Sequence, residues 1–414
     1  MPDRRSGPPL VIVGSGLCGG VAARTLREEG YGGRVVLIGN EPGVPFGRPP
    51  LSKTYLRGEE ALSGWLVRPE SWYGENDVEL LRATAVRIDA AGRQVLLDSG
   101  AAVPYARLLI ASGGRNRRLQ VPGADLPGVY QLRTVADCDA IKAAAANGGR
   151  AVIAGMGFIG SEVAASLTQM GLAASAVFPG LAPLDSVLGP EMGAVMAAIH
   201  GDAGVDLMSG DQVVAFEGAG RVERAVTKRG RRIECELAVV AVGIEPNVNV
   251  LDGTGVATDN GVLVDASCRT NVPDIYAAGD VANHLHPVFG RIRVEHYNNA
   301  EKQGAAAARS MLGSGDEYAY LHTFWSDQYE HKLEYVGHAS RWDQFVVRGS
   351  VKDRKLIGFY LLDGKLLAAV GLDRGGDPEL DEHGEMAAAG RLIAQAARPS
   401  PAVLADGDLE LEHR

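Results

Sequence analysis

The first clear pattern in the chain is a four-residue apolar run, Leu10–Val13, followed at once by Gly14-x-Gly16-x-x-Gly19. A short continuous apolar run with no alternation predicts a strand buried on both faces, as in a parallel sheet. Apolar positions then recur at helical spacing from about Gly20 to Glu29, and Gly30 stops them. A second apolar run, Val35–Ile38, ends at Asn40 and Glu41. The same order returns downstream: a strand-like Ala151–Ala154, Gly155-x-Gly157-x-x-Gly160, a helical segment over Ser161–Met170, a stop at Gly171, and a weaker run at Ala174–Val177. The chain therefore carries two copies of one strand–turn–helix–strand unit.

The turn chemistry is specific. The first glycine allows a tight turn, the second lets a pyrophosphate approach the backbone, and the third lets helix and strand pack closely. The helix N-terminus offers free N–H groups and a partial positive charge to phosphates. A carboxylate after the second strand accepts the ribose hydroxyls. Two such sites in one chain imply electrons or hydride passing between two nucleotides, for which FAD with NADH or NADPH is the usual pair.

Between the copies, "FGRPPLSKTYL" (Phe46–Leu56) reads as a proline-interrupted loop carrying Arg48 and Lys53. "LLIASGGRNRRL" (Leu108–Leu119) reads as a strand, a glycine turn and a basic cluster. Val121-Pro122-Gly123 and Leu126-Pro127-Gly128 mark a linker. Leu237–Asn247 predicts another strand closing on glycine, and Asp274–Asn283 a strand ending in Gly279-Asp280. From about Tyr318, alternating strands rich in aromatics are expected, then a helical tail. Asp373–Glu385 reads as an exposed acidic loop, the last ten residues as a solvated end, and "MPDRRSGPP" as a loose start rather than a signal peptide.

Composition narrows this picture. A length of 414 residues fits two to four domains. Hydrophobic residues at 46% and charged residues at 22% fit an ordinary globular protein. The 54 glycines are consistent with repeated strand–helix turns. A net charge of -10 and a pI near 5.5 argue against general nucleic-acid binding. No apolar run is long enough to span a membrane. The four cysteines, Cys18, Cys138, Cys235 and Cys268, form no close pair. That argues against a zinc site and a local redox disulfide, and fits a reducing cytoplasm.

The paired glycine units, "RPPLSK", "ASGG", "YAAGD" and "FWSDQYEHKLEYVG" together resemble the FAD-dependent NAD(P)H:ferredoxin reductases that serve bacterial oxygenases. This is the putidaredoxin reductase type, with a fold shared by apoptosis-inducing factor. The resemblance runs from about Leu10 to Leu404. It implies an α/β fold of two Rossmann-like dinucleotide-binding domains, for FAD and NAD(P), plus a C-terminal α+β domain. The FAD domain would be 1–114 and 241–318, the NAD(P) domain 115–240, and the last domain 319–414. It also implies the reaction. Nicotinamide C4 gives a hydride to flavin N5, and the flavin then reduces a ferredoxin in single-electron steps to feed an oxygenase. Neither membrane nor nucleic acid is involved, and the oligomeric state is left open.

The resemblance gives residues their roles. Gly14, Gly16 and Gly19 would bind the FAD pyrophosphate, and Glu41 with Asn40 the adenosine ribose. Arg48 would contact FAD, and the Asp280 carboxylate, after Gly279, the ribityl hydroxyls. Gly155, Gly157 and Gly160 would hold the NAD(P) pyrophosphate. Lys53 would stand beside flavin N5 and Glu162 near the nicotinamide, as an ion pair. Trp325 would stack near the nicotinamide pocket. Glu295 matches the family pattern, and Tyr297 stands where relatives carry Trp. Read from the residues alone, other roles stay open: a surface acid at Glu41, helix capping at Asp280, a structural salt bridge at Lys53–Glu162, a core aromatic at Trp325. Arg115, Arg117 and Arg118 form a candidate partner-docking cluster or a solvated loop.

A second position departs from the family. Counted from Gly171, the place of the ribose-binding acid is taken by Phe178, and Val177–Val187 offers no arginine for a 2′-phosphate. Weak or relaxed coenzyme choice is therefore expected. Two other functions stay in view: an FAD-binding redox or interaction protein with impaired nicotinamide use, and a flavin enzyme acting on a small molecule.

Overall fold

The structure is a computed structural model and describes residues 7–411. The first six residues of the expected loose start lie outside the described residues. The chain divides into two compact units: Met1–Arg48 with Leu62–Arg115 and Glu245–Tyr320, and Pro49–Ala61 with Asn116–Ile244 and Leu321–Arg414.

The first unit is built on a parallel five-stranded sheet. Its strands run in the order Ile275–Ala277, Arg107–Ile110, Leu10–Val13, Val35–Gly39, Val78–Arg82. Both faces are covered, which is why Leu10–Val13 is apolar throughout. Leu10 and Ile12 pack toward the helices Leu17–Glu28 and Tyr297–Leu312. Val11 and Val13 pack with Ile88, Val95 and Leu97 of a small antiparallel meander. The two helices approach closely because Gly304 has no side chain: a Cβ there would lie 2.5 Å from Cys18 O. The first helix starts at Leu17, earlier than its apolar spacing predicts, because Gly16 is its N-cap and the glycine motif forms its first turn.

The second unit repeats the plan. Strands Asp206–Ser209, Ala173–Phe178, Arg150–Ala154, Leu237–Val240 and Val129–Tyr130 form a parallel sheet in that order. A second meander, Val213–Glu217, Arg224–Thr227 and Arg232–Glu234, covers one face. The same unit holds a five-stranded antiparallel sheet, ordered Thr323–Gln328, His331–Gly337, Lys365–Leu372, Lys355–Leu362, Gln344–Ser350, and the helix Glu385–Ala394. Leu188, Met192, Met196 and Ile199 of the helix Asp185–Asp202 share a core with Phe324, Tyr335 and Tyr360 of that sheet. That helix bends at Gly189, ahead of Pro190.

Two local expectations change. Phe46–Leu56 is not all loop: Pro49–Ser52 is a 3-10 turn and Thr54–Arg57 a single helical turn. The prolines open the first turn, where a missing N–H costs nothing. The end of the chain is solvent-exposed over 405–410, as expected, but tethered, and 412–414 lie outside the described residues. Leu404 and Leu411 are buried, and the buried Arg348 donates to the carbonyls of Gly407 and Leu409. Among the described residues no helix is long and apolar enough to cross a membrane.

Candidate functional site

The two glycine turns have one geometry. Gly14 and Gly155 hold φ of +117° and +103°, and a Cβ on either would strike a carbonyl, Ala111 O at 2.1 Å or Ala241 O at 2.3 Å. Each lies where its central strand meets the neighbour on the side away from its own helix connection, the crevice in which such sheets bind nucleotides. Gly16 and Gly157 have nothing within 4 Å of a would-be Cβ, so the backbone is open to a ligand. Gly19 and Gly160 instead sit against the carbonyls of Gly14 and Gly155, at 1.9 and 2.0 Å from a would-be Cβ. Both turns fit the pyrophosphate of a dinucleotide such as FAD.

Around the first turn, the unit groups most of the residues expected there. Glu41 and Arg48 form a two-pronged ion pair, with Nη2–Oε2 at 2.5 Å and Nη1–Oε1 at 3.2 Å. This places Arg48 on the acid itself, with its guanidinium also over the Phe46 ring. Asn40 is exposed and bonds Thr84 at 3.4 Å. Gly279 donates its N–H to the buried Gln303 side chain. Asp280 lies inside the short turn Gly279–Val281, whose N-cap is Ala278, so helix capping is not its role. Its carboxylate stands near Cys18 in the first turn's helix: burial, then Asp280, push that thiol well above its ordinary range. Arg293, which the sequence did not single out, ties two expected residues together. It donates to Asp280 O at 3.0 Å and pairs with Glu295 at 2.6 Å. Tyr297 meets Trp65 edge-on over Gly47. The basic cluster is partly spent: Arg115 pairs with Glu245, and Arg117 bonds Ile244 O.

In the second unit Lys53 and Glu162 meet. Lys53 Nζ lies 2.8 Å from Glu162 Oε2, with both side chains buried. Lys53 is held at the start of the helical turn Thr54–Arg57, and Glu162 in the helix Phe158–Gln169. Ser52 donates to the same Oε2 at 2.5 Å, and Ser326 to Oε1 at 2.8 Å. Behind Ser326 the bonds continue. Gln328 Nε2 donates to Ser326 Oγ at 3.0 Å, and His200 Nε2 reaches Gln328 Oε1 at 2.9 Å. His200 Nδ1 faces the Tyr329 hydroxyl at 3.0 Å. The amide oxygen can only accept, so His200 Nε2 carries the hydrogen and Nδ1 accepts from Tyr329. Burial pushes the imidazole down to about 4, which keeps it neutral. Every donor in the chain therefore points toward the Glu162 carboxylate, an arrangement in which each bond polarises the next.

The strand Thr323–Gln328 sorts its side chains by alternation. Phe324 enters the core and Ser326 faces Glu162. Trp325 and Asp327 share the other face and bond each other, so Trp325 is not a core residue. Burial raises the Asp327 carboxyl; Lys53 and Glu162 both act on it electrostatically, in opposite directions. Glu334, opposite Trp325 on the next strand, is pushed up to about 7 by burial, against the pull of Lys332 at 2.7 Å. Ser52, Asp327 and Gln328 lie in the motifs "RPPLSK" and "WSDQY" without a role of their own there, and His200 lies in no motif. "WSDQY" was read as a family signature, and its even positions turn out to bond toward Glu162.

The ribose end of the second turn differs from the count along the chain. Gly14 N bonds Ile38 O, and Gly155 N bonds Val177 O in the same way. The register thus equates Phe178 with Gly39, and past these residues the two units part: Ala83 N bonds Gly39 O, whereas its counterpart Gly210 N bonds Gly180 O. Phe178 is 3% exposed, so its ring is taken up in the interior.

A sequence profile described as pyridine nucleotide-disulphide oxidoreductase matches residues 8–304, and a reductase C-terminal profile matches 323–413. The chain belongs to the pyridine nucleotide-disulphide oxidoreductase family. It is 35% identical to rhodocoxin reductase of Rhodococcus erythropolis, over 97% of this chain and 93% of that protein. It is 36% identical to the anthranilate 1,2-dioxygenase system ferredoxin–NAD(+) reductase component of Burkholderia cepacia, over 98% and 99%. Among solved structures, the covalent putidaredoxin reductase–putidaredoxin complex matches with a TM-score of 0.92 at 30% identity, over 99% of this chain and 98% of that one. The ferredoxin reductase for the CYP199A2 system of Rhodopseudomonas palustris matches with a TM-score of 0.92 at 33% identity, over 98% and 99%. Despite the family's name, all four cysteines here are free and buried, with no disulfide.

Proposed function

We propose that this protein is a flavoprotein reductase that carries electrons from NAD(P)H through FAD to a ferredoxin serving an oxygenase. The balance is NAD(P)H and two oxidised ferredoxins giving NAD(P)+, a proton and two reduced ferredoxins. FAD, when bound, accepts the two electrons as a hydride and releases them one at a time. The observation that carries the reading is the buried Lys53–Glu162 pair, because its members come from the segments that follow the two nucleotide turns.

The chain's own residues divide the work. Gly14, Gly16 and Gly19 hold the FAD pyrophosphate, Glu41 and Asn40 the adenosine ribose, and Asp280 the ribityl hydroxyls, while Arg48 steadies Glu41. Gly155, Gly157 and Gly160 hold the nicotinamide nucleotide's pyrophosphate. Lys53 supplies a fixed cation for charge that develops on reduction. Glu162 keeps Lys53 oriented and, with one acceptor position left on Oε1 beyond Ser326, can take the nicotinamide amide. Trp325, bonded to Asp327, stacks near the nicotinamide. FAD is assigned to 1–114 and 241–318, NAD(P) to 115–240. The protein works in the cytoplasm, where NAD(P)H is supplied and thiols stay reduced.

Anaerobic titration of the purified yellow protein tests this reading. Stoichiometric NADH or NADPH should bleach the flavin band, and catalytic amounts of protein should reduce a dioxygenase-type ferredoxin. A protein without flavin, or a bound flavin that neither coenzyme reduces, overturns it.

A further inference from the structure

We infer that Asp185 supplies the ribose-binding carboxylate that the second nucleotide unit lacks in its own strand, and that it makes the protein select NADH over NADPH. The inference rests on the reductase reading above. In the first unit the acid is Glu41, two residues past the end of its strand, and Gly180 lies two residues past the end of the corresponding strand in the second unit. A Cβ on Gly180 would lie 2.6 Å from Asp185 Oδ1 and 2.9 Å from Oδ2. The carboxylate of Asp185 therefore stands where a side chain at position 180 would begin. Glycine at 180 is what admits it.

The loop that carries Asp185 is built to hold this position. Leu184 N donates to Met156 O at 2.9 Å, tying the loop back to the glycine turn itself. Leu181 N and Ala182 N both donate to Asp185 Oδ2, at 2.7 and 3.2 Å. Among the described residues no donor reaches Oδ1, which leaves it free to accept from a ribose hydroxyl. Leu181 is 83% exposed at the same tip, an apolar surface of the kind an adenine covers.

Charge decides between the coenzymes. A carboxylate accepts from the ribose diol and repels a 2′-phosphate. The nearest rival is Arg229, whose guanidinium lies 3.0 Å from a would-be Cβ on Gly210 and bonds Ser209 O. Gly210 N bonds Gly180 O, so Arg229 approaches from the neighbouring strand. It marks the NADPH alternative, and the test separates the two.

The experiment measures dissociation constants of the holoprotein for NAD+ and for 2′,5′-ADP by calorimetry, beside flavin reduction by NADH and NADPH. Wild type should prefer NADH. Asp185→Asn keeps an oxygen for the loop N–H groups and loses the second acceptor and the charge. It should weaken NAD+ by about tenfold or more while leaving 2′,5′-ADP equal or tighter. Asp185→Ala also loosens the loop, and should weaken NAD+ further while the ratio of the two constants still moves the same way. A ratio unchanged in both variants, or a wild type that prefers NADPH, overturns the inference and leaves the reductase reading standing. A wild type that binds neither nucleotide overturns both.

Discussion

Glu162→Ala should destabilise the second unit far beyond the loss of an ordinary acid. The carboxylate takes hydrogen bonds from Ser52, Lys53 and Ser326, and the paired side chains of Lys53 and Glu162 are only 9% and 5% exposed. Truncating one member of a buried ion pair costs about 3–5 kcal/mol, because the other charge stays behind without water or partner. A unit of this size loses about 2–4 °C per kcal/mol, so its calorimetric transition should fall by roughly 6–20 °C. Lys53→Met with Glu162→Leu removes both charges and fills the space with apolar groups, a change that is often neutral or better. The double variant should recover most of the lost transition temperature and still reduce its flavin slowly, since the fixed cation is gone. Scanning calorimetry of the holoprotein, with flavin fluorescence followed in parallel, separates unfolding of the unit from release of the cofactor. A single variant within a degree or so of wild type, or a double variant no more stable than the single, would refute the claim that the two charges depend on each other.

Three further outcomes follow from the same geometry. Ser326→Ala removes the donor to Glu162 Oε1 and should slow flavin reduction by roughly five- to tenfold, with Ser326→Thr restoring it; equal rates in all three proteins would deny Ser326 a positioning role. His200 is held near 4 by burial, from an ordinary 6.5, so between those values the unfolded chain takes up a proton the folded one refuses. Its contribution is intact above about pH 6.5 and falls by about 3 kcal/mol as the pH drops to 4, so His200→Asn should flatten the stability profile in that window and leave it unchanged above. All four thiols are buried, so native protein should react with no equivalent of a thiol reagent and denatured protein with four; a reactive native cysteine would contradict the packing.

The sheets were legible because a strand buried on two faces has to be apolar throughout, and Leu10–Val13 and Ala151–Ala154 are. The glycine turns were legible because each glycine answers a separate steric demand, and those demands fix the spacing. Helix starts were misjudged by a few residues, since glycines at 16 and 157 act as N-caps without a capping side chain to announce them. The chain of bonds behind Glu162 had no local signature. Ser52, Ser326 and His200 are ordinary polar residues in sequence and become site residues only because distant segments bring them to one carboxylate. "RPPLSK" and "WSDQY" pointed there, and the alternation of the second becomes meaningful once the strand assigns Ser326 and Gln328 to one face and Trp325 and Asp327 to the other.

Counting residues from Gly171 located the expected acid at Phe178 and found an aromatic ring. The count holds along the chain, but a nucleotide is met by atoms in space. Once the strand ends, any segment that folds back over it can present an oxygen at the same point. Here the returning segment needs a position without a side chain to lie against, and Gly180 is that position. The absence that looked like a defect in the strand is therefore also the steric condition for a carboxylate to arrive from the next helix. The same reasoning sets a limit on repair: Gly180→Ala should push Asp185 aside, and would weaken NAD+ without changing a single charge.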